Sequence, residues 1–393
     1  MLTILTDAEV FAPAPLGRQT LVVGGTQVLA VLDGPPSVAG LDAEVVDLAG
    51  ARVVPGLIDA HVHVTGGGGE AGPHTAAPAP PLSAYTTAGV TSVVGLLGTD
   101  DATRSTRELL RGVHALRAEG LSAWAWTGGY HLPPTTLTGS VRTDIACVEP
   151  VIGFGELAIS DHRSSQPTFE EVARVAAECH VGGLMTGKAG VLHLHLGDGR
   201  RGLDLLRRIL DGTEVPPRTL HPTHVNRRRA LLEEAFDLTP RGVTIDVTAF
   251  PPGLAPPPTG SPDDEVLALD AVAAYLDAGL PAGRLTVSSD GGGCLPSFDA
   301  QGELLHMDFA TSGALADLVA DWCAAGRDLA AILPVLTSNP AGLLRLAGKG
   351  RLAAGADADL VVLGDDHRPR HVMARGRWMV RDGRPVVRGT FER

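Results

Sequence analysis

The chain has 393 residues, 44 % of them hydrophobic, enough for one large domain beside a smaller one with a sizeable core. Its formal net charge of −13 argues against nucleic acid and anionic membrane surfaces as partners. Cys147, Cys179, Cys294 and Cys323 are scattered without a CxxC pair, which is neither a disulfide framework nor a zinc knuckle and fits reduced thiols in a cytoplasmic protein. The first ten residues carry no basic segment and meet acids early, so no signal peptide is expected. No apolar run approaches the length of a transmembrane helix.

Residues 1 to about 55 contain short β-type runs, such as 19–23 and 27–32, separated by Gly and Pro. The same texture returns after Gly350, at 358–363, 378–380 and 385–387. Neither end can close a core alone. The expectation is a small β-sandwich domain built from both termini, residues 1–55 and 346–393. Between them, over 56–345, strand-like runs at 53–64, 91–98, 122–129, 151–160, 191–198, 218–225, 242–250 and 284–291 alternate with helical patterns. The clearest helical patterns cover 105–119, 168–180, 202–211, 227–236 and 262–278. Eight strands alternating with helices predict an α/β fold, a (β/α)8 TIM-type barrel with its active site at the C-terminal strand ends. A doubly wound open sheet is the rival reading. It would not bring the ends of the first, fifth, sixth and eighth runs to one point.

Those ends are where the chemistry lies. The first run finishes in His61-Val62-His63, and side chains two apart on a strand share a face, so both imidazoles can reach one ion. Alone, such a pair reads equally well as satisfied core histidines. The fourth run places a carboxylate, Glu156, among apolar residues, where burial is costly unless the group is paired or binds metal. The fifth ends in His193-Leu194-His195, the sixth in His221-Pro222-Thr223-His224, and the eighth in Ser289-Asp290-Gly291. Each has an ordinary structural explanation. Gathered at one end of a barrel they read as a metal site of His61, His63, Glu156, His195, His224 and Asp290. His195 and His224 are preferred over His193 and His221 because they lie nearest the strand ends. Two loops also stand out. The glycine run 66–69 leads into Glu70 and opens no helix, so it is not a phosphate loop. The proline-rich segment 251–258 reads as either a lid or a linker.

The pattern Pro55-Gly56-Leu57-Ile58-Asp59-Ala60-His61-Val62-His63 resembles the signature of the amidohydrolase superfamily. The segments Gly66-Gly67-Gly68-Gly69-Glu70-Ala71-Gly72-Pro73, Thr127-Gly128-Gly129-Tyr130-His131, Ile159-Ser160-Asp161-His162-Arg163-Ser164 and Pro222-Thr223-His224-Val225-Asn226-Arg227 narrow the resemblance to the bacterial isoaspartyl (β-aspartyl) dipeptidases. The resemblance implies two zinc ions per subunit, with other divalent metals as substitutes. His61 and His63 would hold one ion with Asp290, His195 and His224 the other, and a fourth-strand carboxylate would bridge them. A bridging hydroxide would attack the isopeptide carbonyl, with Asp290 as general acid–base and Tyr130 supporting the oxyanion. Glu70 would pair with the substrate amine, Arg163 and Arg227 would clamp carboxylates, and Thr99 would add a hydrogen bond.

Two departures stand out. The resembled family carries a carbamylated lysine where this chain has Glu156, which predicts direct bridging and no need for bicarbonate. It carries a substrate-contacting serine where this chain has Cys294, a weaker donor. The alternatives are a related hydrolase of N-acyl amino acids or cyclic amides, and a catalytically silent binding relative. The resemblance further implies a small dipeptide substrate and a homo-oligomer, with octamers the expectation.

Overall fold

A computed structural model describes residues 2–37, 39–69, 71–250, 261, 264–298 and 304–393. The apolar run at 53–64 is not one strand. Arg52–Pro55 pairs with Leu360–Leu363 and with part of Leu2–Phe11 in a sheet made by the two termini, whereas Leu57–Val62 opens the barrel as β1. Gly56 is the crossing point. A Cβ there would lie 2.2 Å from the Thr91 hydroxyl oxygen, so the hand-over needs a residue without a side chain.

The further barrel strands are β2 (Val90–Gly95), β3 (Ser122–Thr127), β4 (Val151–Ile159), β5 (Val191–Leu196), β6 (Leu220–Thr223), β7 (Ile245–Thr248) and β8 (Leu285–Ser288). β1 to β6 pair in parallel in sequence order, and β7 pairs in parallel with β8. The Asn226 amide closes the gap between β6 and β7 through Thr248, donating to its carbonyl at 3.0 Å and accepting from its N–H at 2.9 Å. A parallel bridge from Gly291 to Val62 returns the circuit to β1. Strands walled by helices outside and filled by side chains inside are buried on both faces, as every residue of β1, β2, β4 and β5 is.

Helices cross between the strands largely where the periodicity predicts them. Thr106–Glu119 is capped by the Ser105 hydroxyl, and Phe169–Thr186 opens with a Thr168/Glu171 capping box. The expected helix at 262–278 is shorter, Ala268–Asp277. A hairpin, Cys294–Phe298 with Leu304–Phe309, and the helices Gly313–Ala324, Leu329–Leu336 and Ser338–Leu343 follow β8 without having been singled out by the sequence patterns. The segment 251–258, read as lid or linker, lies outside the described residues.

The terminal sheet has nine strands, from Leu2–Phe11 to Arg384–Pro385. It encloses its own apolar core, including Leu5, Val10, Leu21, Val53, Leu360 and Met373. No helix among the described residues is long and apolar enough to cross a membrane.

Candidate metal centre

Period-two alternation along β1 and β5 sends His61 and His195 into the barrel at its C-terminal end. His224 and Asp290 stand just past β6 and β8, both in the left-handed backbone region (φ 60° and 55°) that turns a strand end sharply inward. Glu156 reaches the same point from β4. All six expected ligands, these five and His63, are buried and converge.

Glu156 is the hub. Its Oε2 lies 3.1 Å from His195 Nδ1, 3.4 Å from His224 Nε2 and 3.4 Å from His61 Nε2, while its Oε1 is 3.6 Å from His63 Nε2. Asp290 Oδ1 stands opposite, 3.1 Å from His63 Nε2 and 3.3 Å from His61 Nε2. His61 Nε2 and Asp290 Oδ1 are fully buried with no hydrogen-bond partner among the described residues. Such orphaned atoms are costly unless something else satisfies them.

Three overlapping sets could each hold a cation: His61, His63 and Glu156; His61, His224 and Asp290; and Glu156, His195 and His224. Within each set the ligand atoms lie within 4.8 Å of one another. Imidazole and carboxylate donors suit zinc and similar divalent ions, so the residues fit the group.

The electrostatics point the same way. Burial would raise the Glu156 carboxyl, but the surrounding histidines outweigh it and hold it well below the usual range. Asp290 is likewise depressed against its burial, by His61 and His63. His61 is raised despite its burial, because it faces both carboxylates. Burial lowers His224 to about 4, leaving a neutral ring with a lone pair to donate. Tyr130 is pushed well up, by burial first and the Glu156 charge second, and so stays a phenol; its hydroxyl is 2.8 Å from His195 Nδ1.

Of the expected substrate contacts, Arg163 sits beside the ligands, its guanidinium 5.6 Å from the Tyr130 ring centroid. Arg227 approaches Asp198 at 3.9 Å. Thr99 follows Gly98, where a Cβ would lie 2.8 Å from the His63 ring. Cys294 donates its thiol to the Thr75 carbonyl at 3.2 Å and packs against the glycine loop, where a Cβ on Gly68 would strike its sulfur. Glu70 lies outside the described residues.

No protein-family model matches the chain. Among solved structures it is 40 % identical to the β-aspartyl dipeptidase of Fervidobacterium islandicum AW-1 in complex with β-Asp-Leu, with a TM-score of 0.91 over 98 % of this chain and 97 % of that one. The chain belongs to the β-aspartyl dipeptidase family. A second structure of the Fervidobacterium enzyme matches at 38 % identity and a TM-score of 0.88, over 98 % of each chain. Dihydropyrimidinase from Brevibacillus agri NCHU1002, at 15 % identity and a TM-score of 0.66 over the full length of both chains, shares the fold. As a β-aspartyl dipeptidase family member the protein is a metal-dependent hydrolase.

Several residues of this family member carry weight that strand-end reasoning misses. Asp161, just past β4, takes His195 Nε2 at 3.0 Å on Oδ2 and clasps Arg163 with both oxygens, Nε to Oδ1 at 3.1 Å and NH2 to Oδ2 at 2.8 Å. Asp59 accepts from the Ser289 N–H at 3.1 Å and the Ser312 hydroxyl at 2.8 Å, pinning the turn that carries Asp290. Thr248 holds His224 Nδ1 at 2.7 Å. Asp59 was within reach of the alternation rule, two residues before His61 on one strand face. Asp161 lies in a loop and had no comparable periodic signal.

Proposed function

We propose that the protein hydrolyses the isopeptide bond of β-aspartyl dipeptides at a binuclear zinc centre. One observation carries the reading: near-full-length similarity, at 40 % identity, to an enzyme held with β-Asp-Leu. The ligand geometry supports it. In this reading His61, His63 and Asp290 would hold one ion and His195 and His224 the other, with the Glu156 carboxylate, in place of a carbamylated lysine, serving both. Bound divalent cations acidify water and polarise a carbonyl.

The chain's own residues do the rest. Asp290, kept ionised by His61 and His63, takes the proton released on attack and passes it to the leaving amine. The Tyr130 phenol donates to the carbonyl oxygen as negative charge develops there. Arg163 and Arg227 receive the carboxylates, with Arg163 aimed by Asp161. Thr99 adds a hydrogen bond, and Glu70 meets the α-amine. Cys294, in place of a serine, leaves a weaker donor at the substrate's edge. The reading extends to a cytoplasmic homo-oligomer.

The test is turnover of β-Asp-Leu against α-Asp-Leu by zinc-loaded protein without added bicarbonate. Strong preference for the β-linked peptide is expected. Failure to cleave either peptide with both zinc equivalents bound would sink the substrate assignment.

A further inference from the structure

Behind the ligands, a line of buried polar groups crosses the barrel. His61 Nδ1 meets His193 Nε2 at 2.8 Å, and His193 Nδ1 meets His221 Nδ1 at 2.9 Å. His221 Nε2 then meets Thr286 Oγ1 at 3.0 Å, and Thr286 donates to Asp246 Oδ1 at 2.6 Å. The five residues come from β1, β5, β6, β8 and β7, and each is 0 % exposed. Asp246 also accepts from the hydroxyls of Thr223 and Ser288. Trp126 stacks on His193, centroids 5.1 Å apart and planes 13° apart, and ties its own N–H to the Ala60 carbonyl at 3.0 Å.

The line has a direction that follows from counting protons. An ionised carboxylate only accepts, so the Thr286 hydroxyl gives its proton to Asp246; its contact to the Ile245 carbonyl is longer, 3.3 Å. The Thr286 oxygen then accepts from His221 Nε2–H. A neutral imidazole has one N–H and one lone pair, so His221 Nδ1 accepts from His193 Nδ1–H, and His193 Nε2 accepts from His61 Nδ1–H. The lone pair of His61 is left on Nε2, the atom facing Glu156 and Asp290. Run the other way, the line would put a proton on that atom, where it could not bind a cation.

We propose that His193, His221, Thr286 and Asp246 form a one-way hydrogen-bond relay that fixes the tautomer of His61 and makes its Nε2 a metal-donating atom. None of the four touches the reacting atoms; they are positioning residues. The Asp246 charge polarises each link in turn, so the relay also makes His61 a stronger donor. The inference rests on the metal-centre reading and deepens it, but it is independent of which peptide is cleaved.

The experiment pairs Thr286→Val, which removes the hydroxyl at nearly constant volume, with Thr286→Ser, which restores it. Zinc affinity of the full-length protein is read by competition with a chelator. The expected result is about 10-fold weaker zinc binding in Thr286→Val and in Asp246→Asn, with Thr286→Ser within a factor of about two of wild type. In parallel, ¹⁵N NMR of histidine-labelled, zinc-loaded wild type should find protons on His61 Nδ1, His193 Nδ1 and His221 Nε2. Unchanged affinity in Thr286→Val, or a proton on His193 Nε2, would overturn the relay. Should Thr286→Val fail to fold, the wild-type tautomers decide alone. Neither readout involves dipeptide turnover, so the wrong substrate would leave this result standing.

Discussion

Beneath the metal ligands, His193, His221, Thr286 and Asp246 are wholly buried, and every polar side-chain atom among them has a protein partner. At the mouth of the barrel, Arg163 and Arg227 keep 25 % and 27 % of their side chains exposed. The floor comes from strands and the mouth from the loops that follow them. A metal site needs its donors set before the ion arrives, because each misplaced buried imidazole costs affinity directly. In the proposed reading these two arginines clamp the substrate's carboxylates, and a clamp must admit and release its ligand, so its groups stand on loops with solvent beside them. The two regions should therefore fail differently when mutated.

The largest effect tests which side of that divide Tyr130 stands on. It is buried like the floor, yet its hydroxyl sits at the ligands. If it serves the transition state, Tyr130→Phe should lower kcat about 10²–10³-fold with zinc content unchanged. Zinc lost in proportion to activity would make it part of the floor instead.

A smaller effect isolates the floor. Burial lowers His221 to about 4, against an ordinary value near 6.5, so the native state binds fewer protons than the unfolded chain between those values. The favourable contribution is therefore complete above about pH 6.5 and lost as pH falls through 4, and it is worth about 3 kcal/mol for this one group. Urea unfolding of chelator-stripped protein near pH 7 and near pH 4.5, where most but not all of that contribution has gone, should show wild type losing more stability than His221→Gln by about 2 kcal/mol. Parallel losses in the two proteins would mean that His221 does not sit as a neutral ring.

The same divide explains what could be read in the sequence. His61, His63, His195, His224, Glu156 and Asp290 were legible because a parallel barrel gathers strand ends, and alternation tells which side chains face inward. The roles of His193 and His221 were not, because their partners come from other strands and only closure of the barrel places them 2.8–2.9 Å apart. The break at Gly56 was hidden for a different reason. Val53, Val54, Leu57 and Ile58 are equally apolar, and only the competing pairing of Arg52–Pro55 with Leu360–Leu363 shows that one run serves two sheets.

Asp161 is where floor and mouth meet. One oxygen of a carboxylate that is only 3 % exposed accepts from both His195 and Arg163, and the other accepts from the Arg163 Nε and backbone N–H. The carboxyl lies well below its usual range despite its burial, because those two partners favour the charged form. Asp161→Asn preserves shape but puts an amide where only donors converge, so at least one contact must break. The expected loss is about 10-fold in zinc affinity at the His195 and His224 position, together with a similar rise in KM for β-Asp-Leu. Arg163→Met should raise KM and leave zinc binding alone. If Asp161→Asn moved only KM, the residue would belong to the clamp, and His195 would be oriented by Glu156 and Tyr130 without it. If both constants move together, one carboxylate sets the distance between the metal and the group that receives the substrate, and the loop after β4 is as much a part of the metal centre as the strands are.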